Sequence, residues 1–149
     1  MSAAIPYLIV NGASRALDFY KAALGATEVL RLADPNGKIM HAEIGIGGAR
    51  FMLADEFPEM GYRGPQSLGG SPVLLMLYVE DVDAFFALAV FHGATETLAL
   101  ADTFDGDRRG TLTDPFGHVW LLATKKEELS TGEISSRFKQ MLNEGTPGG

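Results

Sequence analysis

The sequence predicts an α+β fold that is built from two copies of one βαβββ unit. The tetrapeptide Gly-Ala-Thr-Glu occurs twice, at residues 25–28 and 93–96. Each copy follows a helix-like segment, and each of those segments follows a short apolar run of strand length. Three further strand candidates come after each copy. We expect the two units to form a curved mixed sheet with helices outside, followed by a short C-terminal helix.

The first unit is predicted over residues 1–54. Ile5–Val10 is apolar and short enough for a strand, and Pro6 lies near its start, where proline is tolerated. Asn11 is suited to cap the following helix, and Gly25 stands where helices commonly end. The remaining strands of this unit are predicted at 27–32, 38–46 and 49–54.

The second unit is predicted over residues 73–124 and repeats this order. Its opening strand covers 73–79, and Asp81 then caps a helix that ends at Gly93. Three strands are predicted at 95–100, 106–113 and 118–124.

Two segments lie outside these units. Residues 55–72 are rich in proline and glycine, and we interpret them as a linker, with a lid over a site as the alternative. Residues 125–149 are predicted to form the C-terminal helix and a tail that is disordered from residue 145.

Composition and charge narrow the functional classes. The net charge of −7 argues against a nucleic acid partner, because such partners require a basic surface. The chain contains no cysteine, so disulfides and thiolate chemistry are excluded. No apolar run reaches the roughly 18 residues of a membrane span, and no signal peptide is recognisable. We therefore expect a cytoplasmic protein without a membrane partner.

Three strings in the two units are distinctive: Leu17-Asp18-Phe19-Tyr20, Tyr78-Val79-Glu80-Asp81-Val82-Asp83 and Asp114-Pro115-Phe116-Gly117-His118-Val119-Trp120. With the duplicated βαβββ unit, they resemble the vicinal oxygen chelate superfamily, which includes glyoxalases, bleomycin resistance proteins and dioxygenases. The resemblance covers roughly Ile5 to Thr124. Two further strings, at 54–60 and 106–108, resemble the PhnB-like branch of this superfamily.

The resemblance implies where a metal ion would bind in metal-dependent relatives. Those proteins take one side chain from each of four strands, and the matching positions here are Ile5, Met52, Leu74 and Leu121. All four side chains are apolar, whereas a divalent ion requires nitrogen or oxygen donors at such positions. We therefore expect neither a metal ion nor another cofactor.

Without a metal, the cleft between the units is predicted to be apolar with a few polar groups. Tyr7 and Tyr78 would contribute hydroxyl groups that orient an organic ligand. Filling of the core is the alternative role, especially for the methionines. The predicted ligand-binding residues on this face are Tyr7, Ile9, Met52, Ala54, Leu74, Met76, Tyr78 and Leu121.

Four other residues are candidates for the site. His41 and Glu43 share one strand face and could bind a ligand or move a proton, but a solvated or dimer-facing strand side is the interpretation we favour. Arg108 could hold a carboxylate at the mouth of the cleft or pair with a nearby aspartate. Phe57 lies in the linker segment, where a lid would contribute an aromatic ring.

These observations favour a metal-free protein that sequesters a hydrophobic or aromatic small molecule, in the manner of bleomycin resistance proteins. The resemblance also implies a homodimer, because a partner chain often completes the cleft in this family. The first alternative is a lyase or isomerase of the glyoxalase type that uses a divalent ion or protein acid–base groups. The second is a structural module whose cleft is filled by its own side chains.

Overall fold

The computed structural model describes residues 2–145 and confirms the α+β class with two βαβββ modules. The predicted disorder at 145–149 falls outside these residues except for Gly145. Module 1 consists of β1 (Tyr7–Val10), α1 (Ala13–Leu24), β2 (Thr27–Ala33), β3 (Ile39–Ile46) and β4 (Ala49–Asp55). After the short helix α2 (Pro65–Leu68), module 2 consists of β5 (Leu74–Tyr78), α3 (Val82–Phe91), β6 (Thr95–Asp102), β7 (Asp107–Thr113) and β8 (Val119–Lys125). Helix α4 (Thr131–Asn143) follows.

Hydrogen bonding gives two four-stranded sheets with the same order. Module 1 has the order β1-β4-β3-β2, and module 2 has the order β5-β8-β7-β6. In each sheet the first pair is parallel and the other two pairs are antiparallel. The repeated tetrapeptide lies at the start of β2 and of β6, which are edge strands at corresponding positions in the two sheets.

The helix-bearing sides of the two sheets share one apolar core. Helices α1 and α3 contact each other, and the buried residues of both modules form a single cluster. The ring of Phe51 on β4 lies 5.4 Å from that of Trp120 on β8, and Tyr20 of α1 lies 5.8 Å from Trp120. Both sheets thus turn their helix sides toward each other, and their opposite faces point away from the core.

A buried carboxylate joins the two modules inside this core. Asp114 Oδ2 accepts hydrogen bonds from the Tyr20 hydroxyl at 2.6 Å and from Trp120 Nε1 at 2.9 Å. Its Oδ1 accepts from the backbone N–H groups of Phe116 and His118 at 2.9 and 3.0 Å. A buried carboxylate without such donors would be strongly destabilising, so this arrangement fixes the position of the modules relative to each other.

The cap of α1 differs from the prediction. Asn11 does not cap the helix; the N-cap residue is Gly12, which makes no side-chain cap. Asp55 at the end of β4 supplies the acceptor instead, because its Oδ1 accepts from the N–H groups of Gly12 and Ala13. Its Oδ2 accepts from Ile39 N–H at 2.7 Å, so one carboxylate ties α1 to both β3 and β4.

The predicted linker is more ordered than its composition suggested. A 3-10 turn covers Pro58–Met60, an antiparallel bridge joins Phe57 to Tyr62, and α2 follows. Gln66 Nε2 donates to the carbonyl of Pro115 at 3.0 Å. The segment therefore packs against module 2 as well as connecting to it.

Helix α4 is attached to the molecule by few contacts. Ser130 caps its N-terminus, and none of its residues is buried. Its ring contact is between Phe138 and Phe104, with centroids 5.5 Å apart. Within the described part of the chain, no helix is both long and apolar enough to cross a membrane.

Candidate functional site

Each module presents one open sheet face on the side away from its helix. We call the surface formed by Tyr7, Ile9, His41, Glu43, Arg50 and Met52 the N-face. The strand register places these side chains together, because Tyr7 and Glu43 both lie opposite Met52. His41 is two residues from Glu43 on β3 and therefore points to the same side.

The N-face carries two polar pairs. The Tyr7 hydroxyl lies 2.8 Å from His41 Nδ1, and the two rings are 5.6 Å apart. Glu43 forms an ion pair with Arg50. His41 and Glu43 are thus brought into the candidate site, on the face that Tyr7 and Met52 were expected to form.

The linker segment approaches the N-face near Tyr7. Burial, and secondarily the neighbouring Tyr62 hydroxyl, raises the pKa of Tyr7 above its ordinary value. Tyr62 is bridged to Phe57, whose own ring lies 4.2 Å from Lys38 Nζ. The linker aromatic that affects Tyr7 is therefore Tyr62, which the sequence did not single out.

Two expected N-face residues are less accessible than their neighbours. Ala54 lies opposite Ile9 in the register but is only 2% exposed, and Ile9 is half-buried. Tyr7, in contrast, is 45% exposed. Ala54 therefore offers almost no surface to a ligand as the chain stands.

We call the corresponding surface of module 2 the C-face. Its apolar part is open to solvent, since Leu74 is 50% exposed and Met76 is 44% exposed. An open cavity of about 500 Å³ lies on this face, and it is lined by module 2 residues alone. The lining residues are Leu74, Met76, Tyr78, Leu98, Asp105, Asp107, Arg109, Thr111 and Leu121.

A polar cluster closes one end of the C-face. Asp107 is 2% exposed and accepts from the Tyr78 hydroxyl at 2.8 Å. Arg109 Nη1 lies 3.3 Å from Asp107 and 2.7 Å from Asp105, and Lys125 Nζ lies 3.4 Å from Asp107. Burial first, and then the bond to Asp107, raises the pKa of the Tyr78 hydroxyl.

The arginine on this face is Arg109, whereas the sequence pointed to Arg108. Arg108 donates to Asp83 of α3 at 3.0 Å and pairs with Asp102 at 3.3 Å, so it lies on the helix side. Successive residues of a strand point to opposite faces, so the adjacent Arg108 and Arg109 lie on different sides of the sheet. Of the two roles expected for Arg108, the structure shows pairing with aspartates, although the partners are not Asp105 or Asp107.

The apolar residues at the family's metal positions do not fit a metal ion. Met52 and Leu121 lie at mid-strand on the two faces, and neither they nor Leu74 and Ile5 offer a nitrogen or oxygen donor. Among residues 2–145, no group of three or more His, Cys, Asp or Glu side chains is arranged to hold a metal ion. These four positions therefore supply no ligand for a divalent ion.

The remaining histidine and tryptophan of the superfamily strings have structural roles. His118 Nε2 lies 3.0 Å from the carbonyl oxygen of Ile9, which links the start of β8 to β1. Trp120 is completely buried beneath α1. His118 therefore joins the two modules, and Trp120 belongs to their shared core.

Comparison with known proteins identifies the family. The model described as Glyoxalase/Bleomycin resistance protein/Dioxygenase superfamily matches residues 3–122. An uncharacterized protein of Mycobacterium bovis is 45% identical over 134 residues, which are 88% of this chain and 88% of that protein.

Solved structures agree with this match. A protein from Pseudomonas aeruginosa is 27% identical with a TM-score of 0.68, and the alignment covers 85% of this chain and 100% of that one. The PhnB protein from Bacillus cereus shares the fold at 19% identity, with a TM-score of 0.64 over 83% of this chain and 99% of that one.

Proposed function

Since the chain belongs to the glyoxalase, bleomycin resistance protein and dioxygenase superfamily, we propose that it binds a hydrophobic or aromatic small molecule without a metal ion. The proposal rests on one observation: both sheet faces opposite the shared core are open, the C-face exposes Leu74 and Met76 and the N-face exposes Tyr7, and each face carries hydrogen-bonded polar groups. Apolar walls with a few fixed polar groups are typical of small-molecule sites.

We propose further that two copies of the chain complete each site. Because the helix sides of the modules share one core, the N-face and the C-face of one chain point away from it. Each face alone leaves large apolar side chains in water, which favours an interaction partner. In a twofold dimer the N-face of one copy would cover the C-face of the other, and two equivalent clefts would result.

Sequestration is the role that this arrangement supports best. A structural module with a filled cleft is disfavoured, because the cavity on the C-face is not occupied by the chain's own side chains. The cytoplasmic location expected from the sequence stays a prediction.

One observation favours acid–base catalysis as the second candidate function. The Tyr7 hydroxyl and His41 Nδ1 are in hydrogen-bond contact on the N-face, where they could transfer a proton to or from a bound molecule. A lyase or isomerase would then use His41 as the base. Loss of turnover in a His41→Gln variant that keeps its ligand affinity would favour this candidate over sequestration.

A thermal-shift screen with aromatic compounds tests ligand binding. We expect a binding compound to raise the melting temperature of the protein even when a chelator is present. Met76→Glu should abolish this effect, because the new carboxylate would lie on the apolar part of the C-face. Met60→Glu is the matched control, since Met60 is 62% exposed on the linker. Stabilisation that requires a divalent ion, or that Met60→Glu abolishes equally, would contradict the proposal.

A mixing experiment tests whether two chains share each cleft. Tyr7→Glu blocks the N-face and Met76→Glu blocks the C-face, so neither variant alone should bind. In a mixture, random exchange of copies would restore about a quarter of the sites, because each mixed dimer contains one cleft with both faces intact. If the mixture restores no binding although copies exchange, the cleft is not shared.

A further inference from the structure

The polar end of the C-face holds a hydrogen-bond donor and an acceptor side by side. The Tyr78 hydroxyl donates to Asp107 Oδ2 at 2.8 Å, and Lys125 Nζ donates to Asp107 Oδ1 at 3.4 Å. The two groups therefore bind different oxygens of the same carboxylate. Lys125 Nζ also lies 5.2 Å from the centre of the Tyr78 ring, which confirms that the two side chains are neighbours.

The carboxylate that carries this pair is fixed. Asp107 is buried and also contacts Arg109 Nη1, which in turn donates to both oxygens of Asp105 at 2.8 and 2.7 Å. Thr103 Oγ1 donates to Asp105 Oδ1 at 2.5 Å. A carboxylate with so many fixed partners orients the groups bound to it, and such preorganisation favours selective binding.

Counting hydrogen atoms shows what the pair offers to a ligand. The single O–H of Tyr78 is used by Asp107, so the phenol oxygen has only lone pairs left. Lys125 carries three N–H groups and uses one of them on Asp107, so the others are left to donate. Tyr78 is 50% exposed and lines the cavity, as does Asp107. Lys125 is not one of the lining residues, but its Nζ lies beside both of them, 3.4 Å from Asp107 Oδ1 and 5.2 Å from the centre of the Tyr78 ring.

We propose that the ligand carries an amide-like group, with an N–H beside a C=O, on an apolar or aromatic body. The C=O would accept from Lys125, and the N–H would donate to Tyr78. A carboxylate fits less well, because it would place two acceptor oxygens against the lone pairs of Tyr78. The two carboxylates of the cluster already balance the charges of Arg109 and Lys125, so the cluster needs no further charge. This inference rests on the proposed function, because it concerns the same cavity.

Three matched probes test the inference: naphthalene-2-carboxamide, 2-naphthoate and 2-methylnaphthalene. Their dissociation constants would be measured by calorimetry on the whole chain. We expect the carboxamide to bind roughly tenfold more tightly than 2-methylnaphthalene, which is the effect of one to two hydrogen bonds. We also expect it to bind more tightly than 2-naphthoate.

Two variants assign the preference to this pair. Lys125→Met should reduce the carboxamide preference to about twofold or less, because the donor for the C=O is lost. Lys126→Met is the matched control and should keep the preference, since Lys126 follows the end of β8 and its charge acts on Asp83 of α3 and not on the polar end of the C-face. Tyr78→Phe should lower carboxamide affinity and leave 2-methylnaphthalene affinity unchanged, which separates a lost acceptor from a damaged cavity.

The outcomes separate this inference from the proposed function. Equal binding of all three probes would overturn the inference and leave a general apolar site. Tightest binding of 2-naphthoate would overturn it in favour of an anion site. If no probe binds at either face, the proposed function itself fails, and the inference fails with it.

Discussion

Replacing Asp114 by alanine should destabilise the whole chain, because its carboxylate is the acceptor for four donors. Two of them, the Tyr20 hydroxyl and Trp120 Nε1, belong to completely buried side chains. A hydrogen bond to a charged group contributes about 1.5–3 kcal/mol, so losing these two costs about 3–6 kcal/mol. The backbone N–H groups of Phe116 and His118 lose their acceptor as well, which adds to this cost.

A second turn in the same chain provides the control. Asp34 Oδ1 accepts from the N–H groups of Asn36 and Lys38 at 2.9 Å, as Asp114 Oδ1 does in its own turn. Asp34 has no buried partner on its other oxygen. Asp34→Ala should cost only about 1 kcal/mol, because the two N–H groups are exposed and can donate to water instead. The difference between the two variants therefore reports mainly the contacts to Tyr20 and Trp120.

Urea unfolding followed by fluorescence measures both variants. The chain has one tryptophan, and Trp120 lies at the junction itself, so its emission reports the loss of this core directly. A loss for Asp114→Ala within about 1 kcal/mol of that for Asp34→Ala would refute the reasoning. If Asp114→Ala does not fold, Tyr20→Phe removes one of the buried bonds and should cost about 1.5–3 kcal/mol.

Three further perturbations have defined outcomes. Burial, and then Asp114, raises the pKa of the Tyr20 hydroxyl well above its ordinary value, so the folded state favours the protonated tyrosine. The stability that this protonated hydroxyl contributes is complete below about pH 10, and above that pH it falls by up to about 1.4 kcal/mol per pH unit. Tyr20→Phe should remove that part of the slope in unfolding measured against pH. Ending the chain after Ser130 should change the free energy of unfolding by less than about 1 kcal/mol, because no α4 residue is buried. Gly110→Ala should cost about 1–3 kcal/mol, since the added carbon would lie 3.0 Å from the Leu98 carbonyl oxygen, while Gly48→Ala has open space and should be nearly neutral in the same assay.

The order of elements could be predicted because the signals are local. Every predicted strand begins and ends within two residues of the strand in the structure. The signals used were strand length, the glycine after each helix and the turn residues. Gly25 ends α1 with a positive φ of 66°, the conformation that glycine adopts most easily. Such features depend on neighbouring residues and therefore leave a trace in the sequence.

The faces were harder to predict, because they depend on strand register. The pairing of β6 with β7 is interrupted at Leu98, and a shift of one residue sends every side chain to the opposite face. Counting back in twos from the buried Leu112 places Arg108 on the helix side and leaves Arg109 for the C-face. The apolar Leu112 and the glycine at 110 are visible in the sequence, but the burial that fixes the starting point of this count is known only from the structure.

The polar pair of the N-face has no local signal at all. Tyr7 and His41 are 34 residues apart and meet only because β1, β4 and β3 are neighbours in the sheet. An irregularity between Leu32 and Ala33 also shifts the pairing of β2 with β3, and Ile39 is buried while Met40 is exposed. The alternation of buried and exposed residues along β3 is therefore irregular at its start, and it does not predict the exposure of Met40.

The junction at Asp114 also has a consequence for any dimer of this chain. One carboxylate holds a tyrosine from module 1 and a tryptophan from module 2, so it helps to set the angle between the two modules. In a reciprocal pair that angle would determine the width of both clefts together. Damage to the junction in one chain would therefore disturb both cavities of the pair, although Asp114 lies in neither.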